Sequence, residues 1–133
     1  MAAPALFVSI LQQGDFLIAS IHAALDDTEF VRFQEDLLEQ VGKSRAKGII
    51  IDIAALDVLD SFGSKSLHDL SHMARLRGAA MVLVGIQADV AFAIVRLGMH
   101  LDIHTALDLE EGLEYLEGVT SGDRAGGSAL GRL

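Results

Sequence analysis

Cysteine and tryptophan are missing from this 133-residue sequence, and proline occurs once, at Pro4. Without cysteine there is no disulfide, no thiolate chemistry and no cysteine-based zinc site. A reducing compartment is compatible with that, and a cytoplasmic location is the expectation. Basic residues are scarce: ten Lys and Arg stand against nineteen Asp and Glu, for a formal net charge of −9. A polyanion lacks the electrostatic footprint for nucleic acid or for an anionic membrane. The stretch Met1-Ala2-Ala3-Pro4-Ala5 lacks the basic region of a signal peptide. The longest apolar runs have the length of strands, too short to span a bilayer.

Aliphatic residues are plentiful instead. The chain is 51% hydrophobic and 22% charged, with a mean hydropathy of +0.41. That composition and length suit one globular domain with a single core, and some apolar surface for partners to cover.

The periodicities alternate between strand and helix. Leu6–Leu11 and Phe16–Ile21 read as strands joined by a hairpin turn at Gln12-Gln13-Gly14-Asp15. Asp26 and Glu29 fit a capping box, and Phe30, Phe33, Leu37, Leu38 and Val41 follow at helical spacing. The run from Ile49 to Ile53 lacks polar alternation apart from Asp52, so it reads as a central strand covered on both faces. A second helix starts near Phe62, with Phe62, Leu67, Leu70, Met73 and Ala74 inward, and ends by Gly78. Ala80–Val84 is the next buried strand. Val90, Ala91, Ile94, Val95 and Leu97 mark a third helix, and Met99–Ile103 a short edge strand. Asp108 with Glu111 opens a last helix that turns Leu109, Leu113 and Leu116 inward. The glycine-rich residues Thr120–Leu133 are expected to form a flexible tail after a domain of residues 1–119. The result is an α/β fold with the order ββαβαβαβα: a mainly parallel sheet, flanking helices and a leading antiparallel hairpin.

In such sheets functional groups gather at the carboxyl ends of the strands. Leu59-Asp60-Ser61-Phe62-Gly63-Ser64 lies there, between the Ile-rich strand and its helix. By spacing alone, Ser61 is an N-cap with no regulatory role, and Asp60 is an alternative cap. The same position suits a phosphate, because a helix N-terminus gathers unpaired N–H groups. Ser64 and Ser66, inside the first turns, read as solvated. His68 and His72 are four apart on one helix, a spacing that can bind a metal. No third ligand is placed beside them in the sequence, so a solvated face is the reading and no metal is expected. His22, His100 and His104 are assigned no role.

Enzyme motifs are missing. There is no Gly-x-x-x-x-Gly-Lys, no Gly-x-Gly-x-x-Gly and no Gly-x-Ser-x-Gly. Asp52 and Asp57 near a central strand make a phospho-accepting receiver domain a rival. Receivers need an acidic pair after the first parallel strand and a lysine near the last, and neither is evident. No cofactor is expected.

The loop Leu59-Asp60-Ser61-Phe62-Gly63 after an Ile-rich strand resembles the switch loop of STAS domains, the anti-sigma-factor antagonist family. Many simple antagonists read Asp-Ser-Ser-Gly there; Phe62 replaces the second serine. Together with Phe33-Gln34-Glu35-Asp36-Leu37-Leu38, Val84-Gly85-Ile86-Gln87 and Thr105-Ala106-Leu107-Asp108-Leu109-Glu110, it is similar to the RsbS-type stressosome scaffolds. That resemblance runs from the first strand to about Glu117. It implies a non-enzymatic protein that assembles into a large complex with RsbR-type sensor homologues and holds an RsbT-type serine kinase. It also implies phosphorylation of Ser61, a docking loop of Asp60, Ser61, Phe62, Gly63 and Ser64, and a phosphatase that resets Ser61. The alternatives are a simple antagonist that binds an anti-sigma kinase directly and an interaction domain that is never phosphorylated.

Overall fold

The computed structural model describes residues 7–99 and 101–124. Its elements, in chain order, are β1 (Val8–Gln13), β2 (Phe16–Ile21), α1 (Asp27–Ser44), β3 (Gly48–Asp52), α2 (Ser61–Leu76), β4 (Ala80–Val84), α3 (Ala88–Arg96), β5 (His104–Ala106) and α4 (Leu109–Arg124). The strands lie side by side in that same order in one sheet. β1 and β2 pair antiparallel, with Gln13 opposite Phe16, and the other neighbours pair parallel. The expected ββαβαβαβα order and mainly parallel sheet are therefore present.

Side-chain alternation sorts the core into two layers. Leu17, Ala19, Ile21, Ile49, Ile51, Met81 and Leu83 join Phe30, Phe33 and Leu37 of α1, Leu67, Leu70 and Ala74 of α2, and Val90 and Ile94 of α3. Phe16, Ile18, Ile50, Val82 and Val84 point to the opposite face, where Leu116 of α4 covers them. Ile49, Ile50 and Ile51 are all fully buried. An unbroken isoleucine run belongs there, because a central strand between two helical layers has no wet face.

The helix starts follow cap chemistry. Asp26 accepts from the Glu29 N–H at 2.8 Å, and the Glu29 carboxylate accepts from the Asp26 N–H at 2.8 Å, closing the expected box. At α4, Asp108 accepts from the Glu111 N–H at 3.0 Å, while Glu111 reaches one residue further back, to the Leu107 N–H at 2.9 Å.

Several expectations move. The last strand is His104–Ala106, paired with Val82–Val84, rather than Met99–Ile103. Met99, Leu101 and Ile103 do pack on the core, but as a loop, and Asp102 takes a left-handed conformation (φ 49°) that no strand tolerates. On and beside α3 only Val90 and Ile94 are buried; Val95 and Leu97 are 76% and 58% exposed. Nine residues turn too few times to bury a wide face. Leu109 sits exposed at the first position of α4. The tail does not begin at Thr120: α4 runs on to Arg124, and Thr120 is buried with its hydroxyl donating to the Leu116 carbonyl at 2.8 Å. The remainder of the expected tail, residues 125–133, lies outside the described residues, as does Leu6.

A chain ending at Val119 loses that buried threonine and its bond to the Leu116 carbonyl. It should therefore melt at a lower temperature than a chain ending at Arg124, as read by circular dichroism; equal melting temperatures would show that the last turn adds nothing.

Candidate functional site

The polypeptide leaves the buried end of β3 and turns over residues 53–60 before α2 begins. The loop is held from within and from beside. Asp52 accepts from the Ala54 N–H at 2.9 Å, and the Ile53 N–H reaches the Val84 carbonyl at 3.0 Å. Leu56 and Leu59 are buried and anchor the loop to the core. The Gln87 amide donates to the Ala54 carbonyl at 2.7 Å. Next to it, Gly85 has a φ of +80°, and a Cβ there would lie 2.9 Å from that of Ala54. Glycine is needed on both counts.

Asp60 is the N-cap of α2. Its backbone is extended (φ −85°, ψ −179°) and its carboxylate accepts from the Gly63 N–H at 2.7 Å. The Asp60 carbonyl takes the Ser64 N–H at 2.9 Å, the first bond of the helix ladder. Ser61 is therefore the first helical residue rather than the cap. It is exposed, and among the described residues its hydroxyl makes no hydrogen bond. The sequence leaves Asp60 and Ser61 as rival caps; geometry gives the task to the aspartate, the extended residue just before the first helical one, whose carboxylate meets the N3 amide.

The rest of the expected loop is close by, though not as the spacing suggests. Gly63 is buried against α1, where a Cβ would meet Leu59 at 2.8 Å and Phe30 at 2.9 Å. With Gly63 facing inward, Phe62 turns outward and is 38% exposed, not a core residue. Ser64 and Ser66 are buried, not solvated. Gly63 lets α2 approach Phe30 of α1, and the Gln34 amide donates to the Ser66 carbonyl at 2.8 Å. The Ser64 hydroxyl has no partner among the described residues.

Ser61, Ser64, Lys65, His68 and Met99 line an open cavity of about 190 Å³. Met99 comes from the segment after α3, which spacing around the loop does not reveal. Lys65 is mostly exposed and pairs with Asp69 at 2.9 Å. Its hydrogen bond is the main reason the Asp69 carboxyl titrates below its ordinary value; burial opposes that shift, and His68 adds to it. Chemically the site offers one solvated hydroxyl at a helix N-terminus, with a single cation one turn along. Among the described residues, no base contacts the Ser61 hydroxyl to activate it as a nucleophile.

Comparison with known proteins is consistent with this geometry. A family model for the STAS domain matches residues 8–112. RsbT co-antagonist protein RsbRA of Bacillus subtilis (strain 168) is 33% identical over 91 residues, 68% of this chain and 33% of that protein. The chain thus spans about one third of that relative's length. A serine-to-glutamate variant of Moorella thermoacetica RsbS is 36% identical, with a TM-score of 0.74 over 86% of this chain and 97% of that one. A chain from the structure described as the molecular architecture of the stressosome, a signal integration and transduction hub, is 33% identical, with a TM-score of 0.69 over 84% of this chain and 98% of that one. The unphosphorylated anti-sigma factor antagonist SpoIIAA shares the fold at 12% identity, with a TM-score of 0.62 over 85% of this chain and 97% of that one.

The cap assignment separates two neighbouring substitutions. Asp60→Ala should cost about 0.5–2 kcal/mol, the usual loss for a side-chain cap. Ser61→Ala should stay within about 0.5 kcal/mol, as expected for an exposed residue whose hydroxyl is unbonded. Urea unfolding of both variants measures this, and the reverse order of costs would return the cap to Ser61.

Proposed function

The chain belongs to the STAS-domain family, and on that premise we propose that it is a non-enzymatic stressosome scaffold that holds an RsbT-type serine kinase until Ser61 is phosphorylated. The observation that carries this reading is the division of labour at α2. Asp60 does the capping, so the Ser61 hydroxyl stands exposed with no structural task. A hydroxyl freed in that way is what a modifying kinase needs to reach.

A phosphate on Ser61 brings a charge of about −1.5 to −2 at pH 7. The first turn of α2 contains no acid, and its N-terminus favours negative charge. Lys65, four residues on, lines the same cavity and is an available counter-charge at the expense of its pair with Asp69. Against these, the Asp60 carboxylate lies one residue away and repels. The net effect falls on the surface: of the expected docking loop Gly63 and Ser64 are buried, so a kinase seated over Asp60, Ser61 and Phe62 meets new charge and bulk, and leaves faster. Because Leu56, Leu59 and Gln87 hold the loop independently of Ser61, the domain keeps its shape through the change. A phosphatase then restores the docking surface.

The proposed partners in assembly are further copies of this chain and RsbR-type sensor homologues. Phe92, Val95 and Leu97 are 60%, 76% and 58% exposed, apolar surface of the kind that assembly covers.

Incubation with an RsbT-type kinase and ATP should place the phosphate on Ser61. Unmodified protein and Ser61→Ala should bind the kinase alike, the phosphorylated protein more weakly, and Ser61→Asp in between. Equal binding of the modified and unmodified forms, or phosphate on Ser64 or Ser66 with Ser61 untouched, sinks the switch assignment.

Sedimentation with an RsbR-type homologue tests the scaffold. A large particle is expected, reduced in size by Phe92→Glu with Val95→Glu; a persistent monomer or dimer indicates instead a simple antagonist.

A further inference from the structure

His68 and His72 lie on successive turns of α2, and the fold brings to them a residue that their own sequence neighbourhood does not contain. Their Nε2 atoms converge to 3.3 Å. A carboxylate oxygen of Asp102, from the loop before β5, joins them, so that the three candidate ligand atoms all lie within 4.8 Å of one another. Both histidines are half-buried and Asp102 is exposed. We propose that His68, His72 and Asp102 form a binding site for a zinc-type divalent transition metal, which clamps α2 to the segment between α3 and β5.

Three features support a ligand set over a chance cluster. The first is distance. Ligand atoms about 2.0–2.1 Å from a tetrahedral zinc are roughly 3.3–3.4 Å from each other. The two imidazole nitrogens already stand at that separation, and the carboxylate, within 4.8 Å of both, has to close by no more than roughly 1.5 Å, within the reach of an exposed aspartate side chain. The second is orientation. With Nε2 of His68 turned to the site, its Nδ1 lies 3.5 Å from the Asp69 carboxylate, which Lys65 holds at 2.9 Å. A carboxylate behind a ligating histidine fixes the ring and raises its basicity. The third is chemistry. Two imidazoles and a carboxylate suit zinc and its neighbours, leaving a fourth position for water or another oxygen ligand. Calcium and magnesium prefer an all-oxygen set.

Without metal, the pair has a simpler description, one neutral imidazole donating to the other. The ring centroids are 4.6 Å apart and nearly edge-on. That description gives Asp102 no part, and so the aspartate discriminates. Asp102 holds a left-handed φ of 49°, a conformation aspartate accepts more readily than most residues. An exposed loop position of this kind can be changed to asparagine without disturbing the core. The inference stands apart from the switch reading, since metal binding is measured with no kinase present.

The test is competition for Zn²⁺ against a chromophoric chelator, using the tag-free full chain. One Zn²⁺ per chain is expected, with a rise in melting temperature. His72→Ala should abolish both effects, and Asp102→Asn should weaken binding at least about 10-fold. Asp69→Asn should weaken it by about 10–100-fold, the range for a supporting carboxylate. His22→Ala, on the far hairpin, should change neither. The proposal is overturned if wild type takes up no stoichiometric zinc, or if Asp102→Asn binds as wild type does. It is equally overturned if His22→Ala lowers uptake as much as His72→Ala.

Discussion

β3 has no face to give to solvent, and the rest of the molecule follows from that. Ile49, Ile50 and Ile51 are enclosed from both sides, so the strand can express chemistry only at its end. The end is a loop pinned by Leu56 and Leu59 and braced by Gln87. A rigid exit of this kind fixes where α2 begins, and Asp60 fixes it to the residue. Had the cap fallen one position later, Ser61 would be bonded to the helix backbone and Gly63 would no longer face Phe30.

Much of the fold was legible because periodicity and cap chemistry are local. The isoleucine run, the Asp26–Glu29 box and the presence of a hairpin turn each state their structure within a few residues, although the turn expected over Gln12-Gln13-Gly14-Asp15 is shorter, because Gln12 and Gln13 belong to β1. The misreadings share a cause. Residue type makes Ser64 and Ser66 look solvated, yet both are buried: the Ser66 carbonyl meets Gln34 of α1, and Ser64 lies at the wall of the cavity beside Ser61. Val95 and Leu97 fit the helical period, but among the described residues nothing packs over α3 widely enough to cover them. The strand expected at Met99–Ile103 has the right hydrophobicity, and only the left-handed backbone at Asp102 shows that it is a loop. At the site, the order Asp-Ser before a helix was readable, whereas the choice of cap needed geometry. The nearness of Asp102 to His68 was invisible, because the two lie far apart along the chain and meet only in the fold.

Several of the segments on which the sequence resemblance rests acquire physical roles. Phe33 and Gln34 brace α2, the first by burial and the second by its bond to the Ser66 carbonyl. Gly85 and Gln87 brace the loop before it. The segment ending at Glu110 positions the cap of α4, which closes the second face of the sheet. These contacts surround the Ser61 hydroxyl without touching it. Support is invested in the frame, and the modifiable group is left free.

The sheet's spatial order is also its order along the chain. Each strand therefore lands beside the one made just before it, and no strand must wait for a partner far away in sequence. Loop closure is repeated at similar cost for each crossover, since that cost grows only slowly with length. The hairpin of β1 and β2 offers a complete first template, on which β3, β4 and β5 are laid in turn. For a chain emerging from the ribosome from its N-terminus, this is a sheet that can be extended in step with synthesis, with one growing edge at a time.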